Sequence, residues 1–388
     1  MYTFAGTAYE RGKQHGRELA VAIGDRVGRS LPVDLDAAQR TRIAQPWLDA
    51  TEELDIDLVR EMAGIAAGSG TTLAEIVLLN CFEAFKLQES EEKGGCTVVG
   101  STTNGQTVIA QNWDGNPQRA IGIAVHRHRD PDAPDVAVLS SPGGLGWIGM
   151  NEYGLALVNN DLVGGPIART APSQAIRRVL LKQTDTSSAL SAVQAISHPA
   201  LRSYVLADAA GVLAAVEVLP HEAPATAPTA ATVVHANHAV AAKVRAVEDR
   251  KLQESVFPSS AHRASRAAEL MVQTYQQADQ RDRLRRVLRD HDGLPFSVCR
   301  HPDPTEVTHT VASVVFDCTK RQAEFYLGLA CEPDAYEVVD FGATALSVAH
   351  GRGEAALTEE TDGLASSSSA PSSAGTNSTN IERSEGIE

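Results

Sequence analysis

The sequence predicts an α+β fold in which antiparallel sheets lie between layers of helix. Three observations predict it. Residues 8–92 show helical periodicity and few strand signals. Strand patterns begin at Cys96 and recur at short intervals, led by a hairpin signal at Asn104-Gly105. The order is helices, strands, helices, strands, rather than the strand–helix–strand repeat of a parallel sheet.

In chain order, Glu10, Arg11, Gly12, His15 and Gly16 lie in a polar first helix that ends near Ile23. Leu54, Leu58, Met62, Ile65 and Ala66 recur at helical spacing, and Thr71 and Thr72 can cap the helix that carries Ile76-Val77-Leu78-Leu79. Strand-like runs at 97–102 and 107–111 flank Asn104-Gly105, the strongest short-range hairpin signal. Further strands are expected over 121–126, 136–140, 154–158, 204–208 and 212–218, interrupted by helices at 170–181 and 187–196. A loop rich in Ala, Pro and Thr spans 223–231, a helix 261–287, and a last hairpin 311–317 and 323–329. From Gly351 the chain loses its aromatics and gains serine runs, so 351–388 is expected to be a disordered tail.

Composition narrows the function. A chain of 388 residues with 43% hydrophobic and 21% charged residues has the balance of a soluble globular protein. Net charge is −15, of which the tail, with seven acids and two arginines, carries −5. An acidic body is a poor partner for nucleic acid. Arg281, Arg283, Arg285, Arg286 and Arg289 are interleaved with Asp282 and Asp290 and read as a solvated helix face. The N-terminus lacks a signal-peptide pattern, and no apolar run approaches membrane-spanning length. Cys81, Cys96, Cys299, Cys318 and Cys331 are scattered and odd in number, which fits reduced thiols in a cytoplasmic protein.

The chemistry centres on Gly94-Gly95-Cys96-Thr97, which comes after the acids Glu89, Glu91 and Glu92. A two-residue turn at Asn104-Gly105 places Cys96 opposite Trp113; a loop longer by one residue places it opposite Asp114. Either way Cys96 and Asn112-Trp113-Asp114 share one end of a hairpin. The carboxylate can accept from an N-terminal ammonium or orient a thiol. The plain alternative is a small core cysteine and an aspartate that begins a turn with Gly115-Asn116-Pro117.

A free thiol titrates at about 8.5 and an α-amino group at about 7.7–8.0, so the amine can serve as base near neutral pH. Only a cysteine at a chain start has that amine, so the chain must first be cut. Gly95 makes the cut plausible: the thiol attacks its carbonyl, and glycine can adopt the strained backbone that an N-to-S acyl shift needs.

Other motifs carry less. Gly144-Leu145-Gly146-Trp147-Ile148-Gly149 spells GxGxxG, but Met150-Asn151-Glu152-Tyr153-Gly154 reads as a turn into a strand, so a dinucleotide is not expected. The glycines of this run, with Trp113, are the expected substrate contacts, Gly144 first. Cys299, His301, His309 and Cys318 lack the paired spacing of a zinc site, so no metal is expected. His126 and His128 share one strand face and read as solvent-facing. His235 or His238 with Cys96 would make a papain-like dyad, but Cys96 begins a strand rather than a helix.

The sequence resembles the acyl-coenzyme A:6-aminopenicillanic-acid acyltransferase family (peptidase family C45), within the N-terminal-nucleophile hydrolases. The segments that carry the resemblance are Ala8–Gly12, Leu79–Glu83, Gly95-Cys96-Thr97, Gln111–Asp114, Gly149–Leu155, His235-Ala236-Asn237-His238 and Cys299–Pro302. It implies a four-layer αββα sandwich, autocatalytic cleavage before Cys96, and amide hydrolysis or acyl transfer through a thioester; no cofactor is expected. By the same resemblance Cys96 matches the nucleophile, Asp114 the aspartate that assists cleavage, and Asn237 the oxyanion asparagine. Asn160 resembles a second oxyanion asparagine, with Asn159 leaving the register open. The tail is outside the family pattern, and the peroxisomal ending of the fungal acyltransferases is missing.

The expectation is therefore a self-processing cysteine amidohydrolase or acyltransferase acting on a small linear amide or acyl thioester. Hydrolysis is favoured, because nothing in the sequence identifies a coenzyme A pocket. Residues 1–95 and 96–350 would form one catalytic domain, with the helical fragment 1–95 remaining bound to 96–388. The alternatives are a non-catalytic binding protein on the same fold and the papain-like hydrolase.

Overall fold

Alternation along a central hairpin sets the layers. Strands β2 (Gly95–Thr103) and β3 (Gln106–Gly115) pair antiparallel, Thr103 with Gln106 and Cys96 with Trp113. The loop is therefore the two-residue turn, and Asn104 and Gly105 have φ of 57° and 72°, as a type I′ turn requires. Side chains along these strands point alternately to two faces. Val98 and Ile109 enter one apolar core; Val99, Val108 and Ala110 enter another.

The structure, a computed structural model, describes residues 1–81, 83, 94–118, 120–226 and 231–343. The serine-rich tail and the acids at 89–92 lie outside them. One sheet has the order β11 (Thr232–His235), β2, β3, β12 (His309–Asp317), β13 (Gln322–Gly328), β14 (Pro333–Asp340). The other runs β1 (Tyr2–Ala5), β4 (Ala124–Arg129), β5 (Val136–Ser140), β6 (Ile148–Asn151), β7 (Ala156–Asp161), β8 (Arg202–Ala207), β9 (Leu213–Leu219), β10 (Glu222–Thr226). Their inner faces share a core that joins Val98, Val314 and Phe316 to Val125, Leu139, Val158 and Val205.

Helices cover both outer faces. Helices α10 (Ser260–Gln273) and α11 (Gln280–Leu288) pack on the six-stranded sheet, and α6 (Ser173–Leu180) and α7 (Thr186–Ala195) on the eight-stranded sheet. The result is the αββα sandwich that the family resemblance implies. Helices α1 (Ala8–Glu18), α2 (Ala20–Ser30), α3 (Ala37–Leu54), α4 (Ile56–Ser69) and α5 (Leu73–Asn80) form their own cluster, which reaches Leu145 and Ala175. Here α1 and α4 nearly touch: a Cβ on Gly12 would lie 2.0 Å from the Glu61 carbonyl oxygen, and one on Gly16 2.3 Å from that of Ile65. Short helices α8 (Ala242–Arg245) and α9 (Arg250–Val256) connect β11 to α10. Among the described residues no single helix is long and apolar enough to cross a membrane.

Several expectations need correction. The 261–287 helix is two helices, because Asp279 caps a new start by accepting from Arg281 N and Asp282 N. The 223–231 loop is in part β10. The arginine run is not a solvated face. Buried Arg283 donates to Ser101 and to the Met271 carbonyl, and Arg285 forks onto Glu324, so the run fastens α11 to its sheet.

His126 and His128 are buried rather than solvent-facing, because β1 and the first helix cover that end of the sheet. Phe4 stacks on His15 at 4.9 Å, and His15 meets His126 edge-on at 4.7 Å. Arg11, Arg178 and His128 converge on buried Glu61. Burial lowers His15 to about 4 and takes His126 and His128 well below 6.5. Each folded pKa lies below its unfolded value, so the stabilisation is whole above about pH 6.5 and is lost as pH falls. We expect the urea midpoint to drop between about pH 7 and pH 5. His126→Leu, which removes two ring nitrogens without hydrogen-bond partners, should flatten that drop; an unchanged slope would count against it.

Candidate active site

The Gly95–Cys96 bond lies inside a paired strand, with Gly95 opposite Asp114 and Cys96 opposite Trp113. Alternation puts the Cys96 side chain on the face of Val98, between the sheets, where the residue is 7% exposed. Gln111 lies on the same face of β3, and its Oε1 accepts from Asn159 N at 2.9 Å.

The main chain of Cys96 is clamped on both sides. Its N–H donates to Asn237 Oδ1 at 2.7 Å. Its carbonyl accepts from Asn160 Nδ2 at 2.9 Å and Arg263 Nη1 at 2.6 Å. Arg263, fully buried on α10, also donates to Asn237 Oδ1 (2.9 Å), Thr97 Oγ1 (2.8 Å) and Ser259 Oγ (2.9 Å). Asn237 in turn donates to the Asp161 carbonyl at 3.0 Å. Asn160 rather than Asn159 reaches Cys96, because residues 158 and 160 of β7 face the other sheet.

Asp114 lies on the opposite face of β3 from the thiol. Its Oδ1 accepts from Thr310 Oγ1 at 2.7 Å, and its Oδ2 is 4.0 Å from Arg263 Nη1. A register shift in β12 between Thr310 and Ala312 accompanies this contact. Thr310 Oγ1 accepts in turn from Arg300 N at 2.9 Å. The carboxylate thus bears on Cys96 through Arg263 and the main chain, not by orienting the thiol.

Charge and burial keep the thiol neutral in the uncut chain. Burial, then the charges of Asp161 and Asp114, push its pKa far up, against Arg263 and Gln111. Burial also raises Asp114, opposed by Arg263 and Arg300.

Gly95 is required by space. A Cβ there would lie 2.6 Å from Arg263 Nη2 and 3.2 Å from Asn237 Oδ1. Gly95 is not among the glycines with positive φ in the uncut chain. Gly95→Ala should displace the guanidinium and slow any cut at this bond at least ~10-fold, about 1.4 kcal/mol on the barrier. A gel time course of the purified chain checks this.

The remaining predicted residues divide. Trp113 is half-buried beside Cys96 and packs on Trp147, with ring centroids 4.7 Å apart. Gly144 does not join them: the atoms nearest its Cβ direction are Ser140 Oγ, the Ser141 carbonyl oxygen and Gln174 Oε1. The GxGxxG run leads into β6, not into a helix. His235 is bonded to Glu217 and His238 to Ser260, so both histidines of the papain-like reading are engaged away from the thiol. No local motif in the sequence marks Arg263, Thr310 or Asp161.

The site is a cysteine held by its own backbone in an αββα sandwich. Residues 101–330 match the family model described as acyl-coenzyme A:6-aminopenicillanic acid acyl-transferase, and the chain belongs to that family. It is similar to the acyl-coenzyme A:6-aminopenicillanic-acid-acyltransferase 40 kDa form of Emericella nidulans, 25% identical over 358 residues, 87% of this chain and 95% of the relative. Among solved structures it is similar to penicillin V acylase from Agrobacterium tumefaciens, over 64% of this chain and 92% of that one, with 15% identity and a TM-score of 0.40.

Proposed function

We propose that the chain is a self-processing cysteine enzyme that takes an acyl group from a linear amide or thioester and passes it to water or to an amine. The clamp on Cys96 carries this reading. Its nitrogen is held by Asn237 and its carbonyl by Asn160 and Arg263, behind a glycine with no room for a side chain. A family of acyltransferases supports acyl transfer as the reaction class.

In the first step the Cys96 sulfur attacks the Gly95 carbonyl. The C–N bond breaks, a C–S bond forms, and the thiol proton ends on the freed nitrogen. Water then opens the thioester, leaving a Gly95 carboxylate and Cys96 with a free amine. Asn237 Oδ1, which accepts from that nitrogen in the uncut chain, is placed to hold the amine as a base.

In turnover the amine takes the thiol proton while sulfur attacks the substrate carbonyl. Asn237 and Asn160 amides, supported by Arg263, are the proposed donors to the oxyanion. The protonated leaving amine departs, and water or an acceptor amine releases the acyl group. The space vacated by Gly95, next to Arg263 and Asn237, is where the acyl carbonyl enters. Trp113 and Trp147 offer an aromatic wall for its side chain.

Intact-mass spectrometry of the enzyme mixed with N-acyl amino acids, β-alanyl amines and acyl thioesters tests this. An acyl adduct on Cys96, partitioned by added amines, is the expected result. No adduct and no turnover across the panel would sink the reading. Trp113→Ala should weaken bulky acyl substrates by roughly 0.5–1.5 kcal/mol and spare acetyl ones, read in kcat/KM.

A further inference from the structure

Four metal-binding side chains meet away from Cys96. His291, Cys299 and His301 come from the segment between α11 and β12, and Cys331 from the turn between β13 and β14. Their ligand atoms all lie within 4.8 Å of one another. Cys299 Sγ is 3.8 Å from Cys331 Sγ, Cys331 Sγ is 3.3 Å from His301 Nε2, and His301 Nε2 is 3.1 Å from His291 Nε2.

Those separations have a metal's geometry. A tetrahedral zinc with sulfur at about 2.3 Å and nitrogen at about 2.05 Å needs edges of about 3.8 Å (S–S), 3.6 Å (S–N) and 3.3 Å (N–N). These three edges agree within about 0.3 Å, and the ligand atoms all lie within 4.8 Å of one another, so the remaining pairs need to draw in by about 1 Å at most to close around an ion. The sulfurs are much too far apart for a disulfide, which needs about 2.05 Å. Cys299 is buried while His291 is exposed, so the cluster has one face on the core and one open to an arriving ion.

We propose that His291, Cys299, His301 and Cys331 form a structural zinc site. Binding releases two thiol protons, and two thiolates then balance the dication with two neutral imidazoles. Four protein ligands close the coordination sphere, so the ion braces rather than catalyses. It would tie the 291–301 segment to the β13–β14 turn. Cys299 directly precedes Arg300, whose N–H donates to Thr310 Oγ1, the donor to Asp114. The set differs from the one weighed in the sequence. Cys318 sits in the core between the sheets and His309 begins β12, while the true partners of Cys299 and His301 are separated from them by turns that spacing does not reveal.

The test uses the full chain purified without chelator, reloaded with zinc chloride and desalted. About one zinc per chain is expected by elemental analysis in the wild type and in Cys96→Ala. Cys331→Ser and His291→Ala should each bind zinc at least ~10-fold more weakly. Cobalt(II) loaded in place of zinc should show the sulfur charge-transfer bands and intense visible bands of a tetrahedral site, a readout on the wild type that holds even if a variant fails to fold. Chelation should lower the Tm. A reloaded wild type without zinc, full retention in both ligand variants, loss in Cys96→Ala, or a cobalt spectrum without sulfur bands would each overturn the site.

Discussion

Cys96→Ala is expected to leave one uncut chain of 388 residues, whereas the wild type resolves by mass into fragments 1–95 and 96–388. The effect should be all or nothing, because alanine has no atom to accept the Gly95 acyl group. Cys96→Ser should cut slowly, since an alcohol is a weaker nucleophile than a thiol in the same place. The fragments should copurify. β1, in the first fragment, pairs with β4 in the second, Tyr2 opposite His126, and the N-terminal helices bury Leu145 and Ala175. Separating them would expose the edge of the eight-stranded sheet and that apolar cluster to water. A wild-type chain still intact after days of incubation, with no N-terminus at Cys96, rules out self-processing.

The legible part of the site was its local part. Asn-Gly turn chemistry and period-two alternation are properties of a dozen adjacent residues, so the sequence narrows the partner of Cys96 to Trp113 or Asp114, and the two-residue turn selects Trp113. Asn160 and Asn237 were reached only through the family resemblance, because nothing near either residue marks it. Arg263 was invisible for a plainer reason. It lies 167 residues from Cys96 on an ordinary amphipathic helix, and only the docking of α10 on the sheet brings its guanidinium to the Cys96 carbonyl. The same limit explains His126 and His128. Their strand alternates as an exposed edge would, and a four-residue strand from the N-terminus covers it. Fold class survived these misses because it depends on element order, which needs no long-range contact to read. Spacing along the chain does not reveal the four side chains of the proposed zinc site either, because turns bring His291 and Cys331 to Cys299 and His301.

Arg263→Ala should be the most damaging substitution outside Cys96. It removes donors to Cys96 O, Thr97 Oγ1, Asn237 Oδ1 and Ser259 Oγ, and takes the nearest cation from Asp114, which is 1% exposed. Breaking a buried charge contact of this kind costs about 3–5 kcal/mol. Self-cleavage should stop as well, since the Cys96 carbonyl then keeps only Asn160. Arg263→Lys separates the two effects. It keeps the charge beside Asp114 but lacks the planar five-donor fork that reaches all four acceptors, so it should recover much of the stability and little of the cutting. Cutting at the wild-type rate in Arg263→Lys would reduce the arginine to a counter-ion. The sign of the pH dependence gives a second check. Burial already raises the folded pKa of Asp114, with Arg263 the first charge opposing it. Removing Arg263 raises it further, so the protonated carboxyl is favoured in the folded state more than in the unfolded chain. That contribution is whole below the unfolded pKa and is lost as pH rises through the folded one. The stability gap between wild type and Arg263→Ala should therefore widen from about pH 5 to about pH 8 in matched urea titrations. A gap that narrows over the same range would mean that Asp114 is not the charge Arg263 compensates.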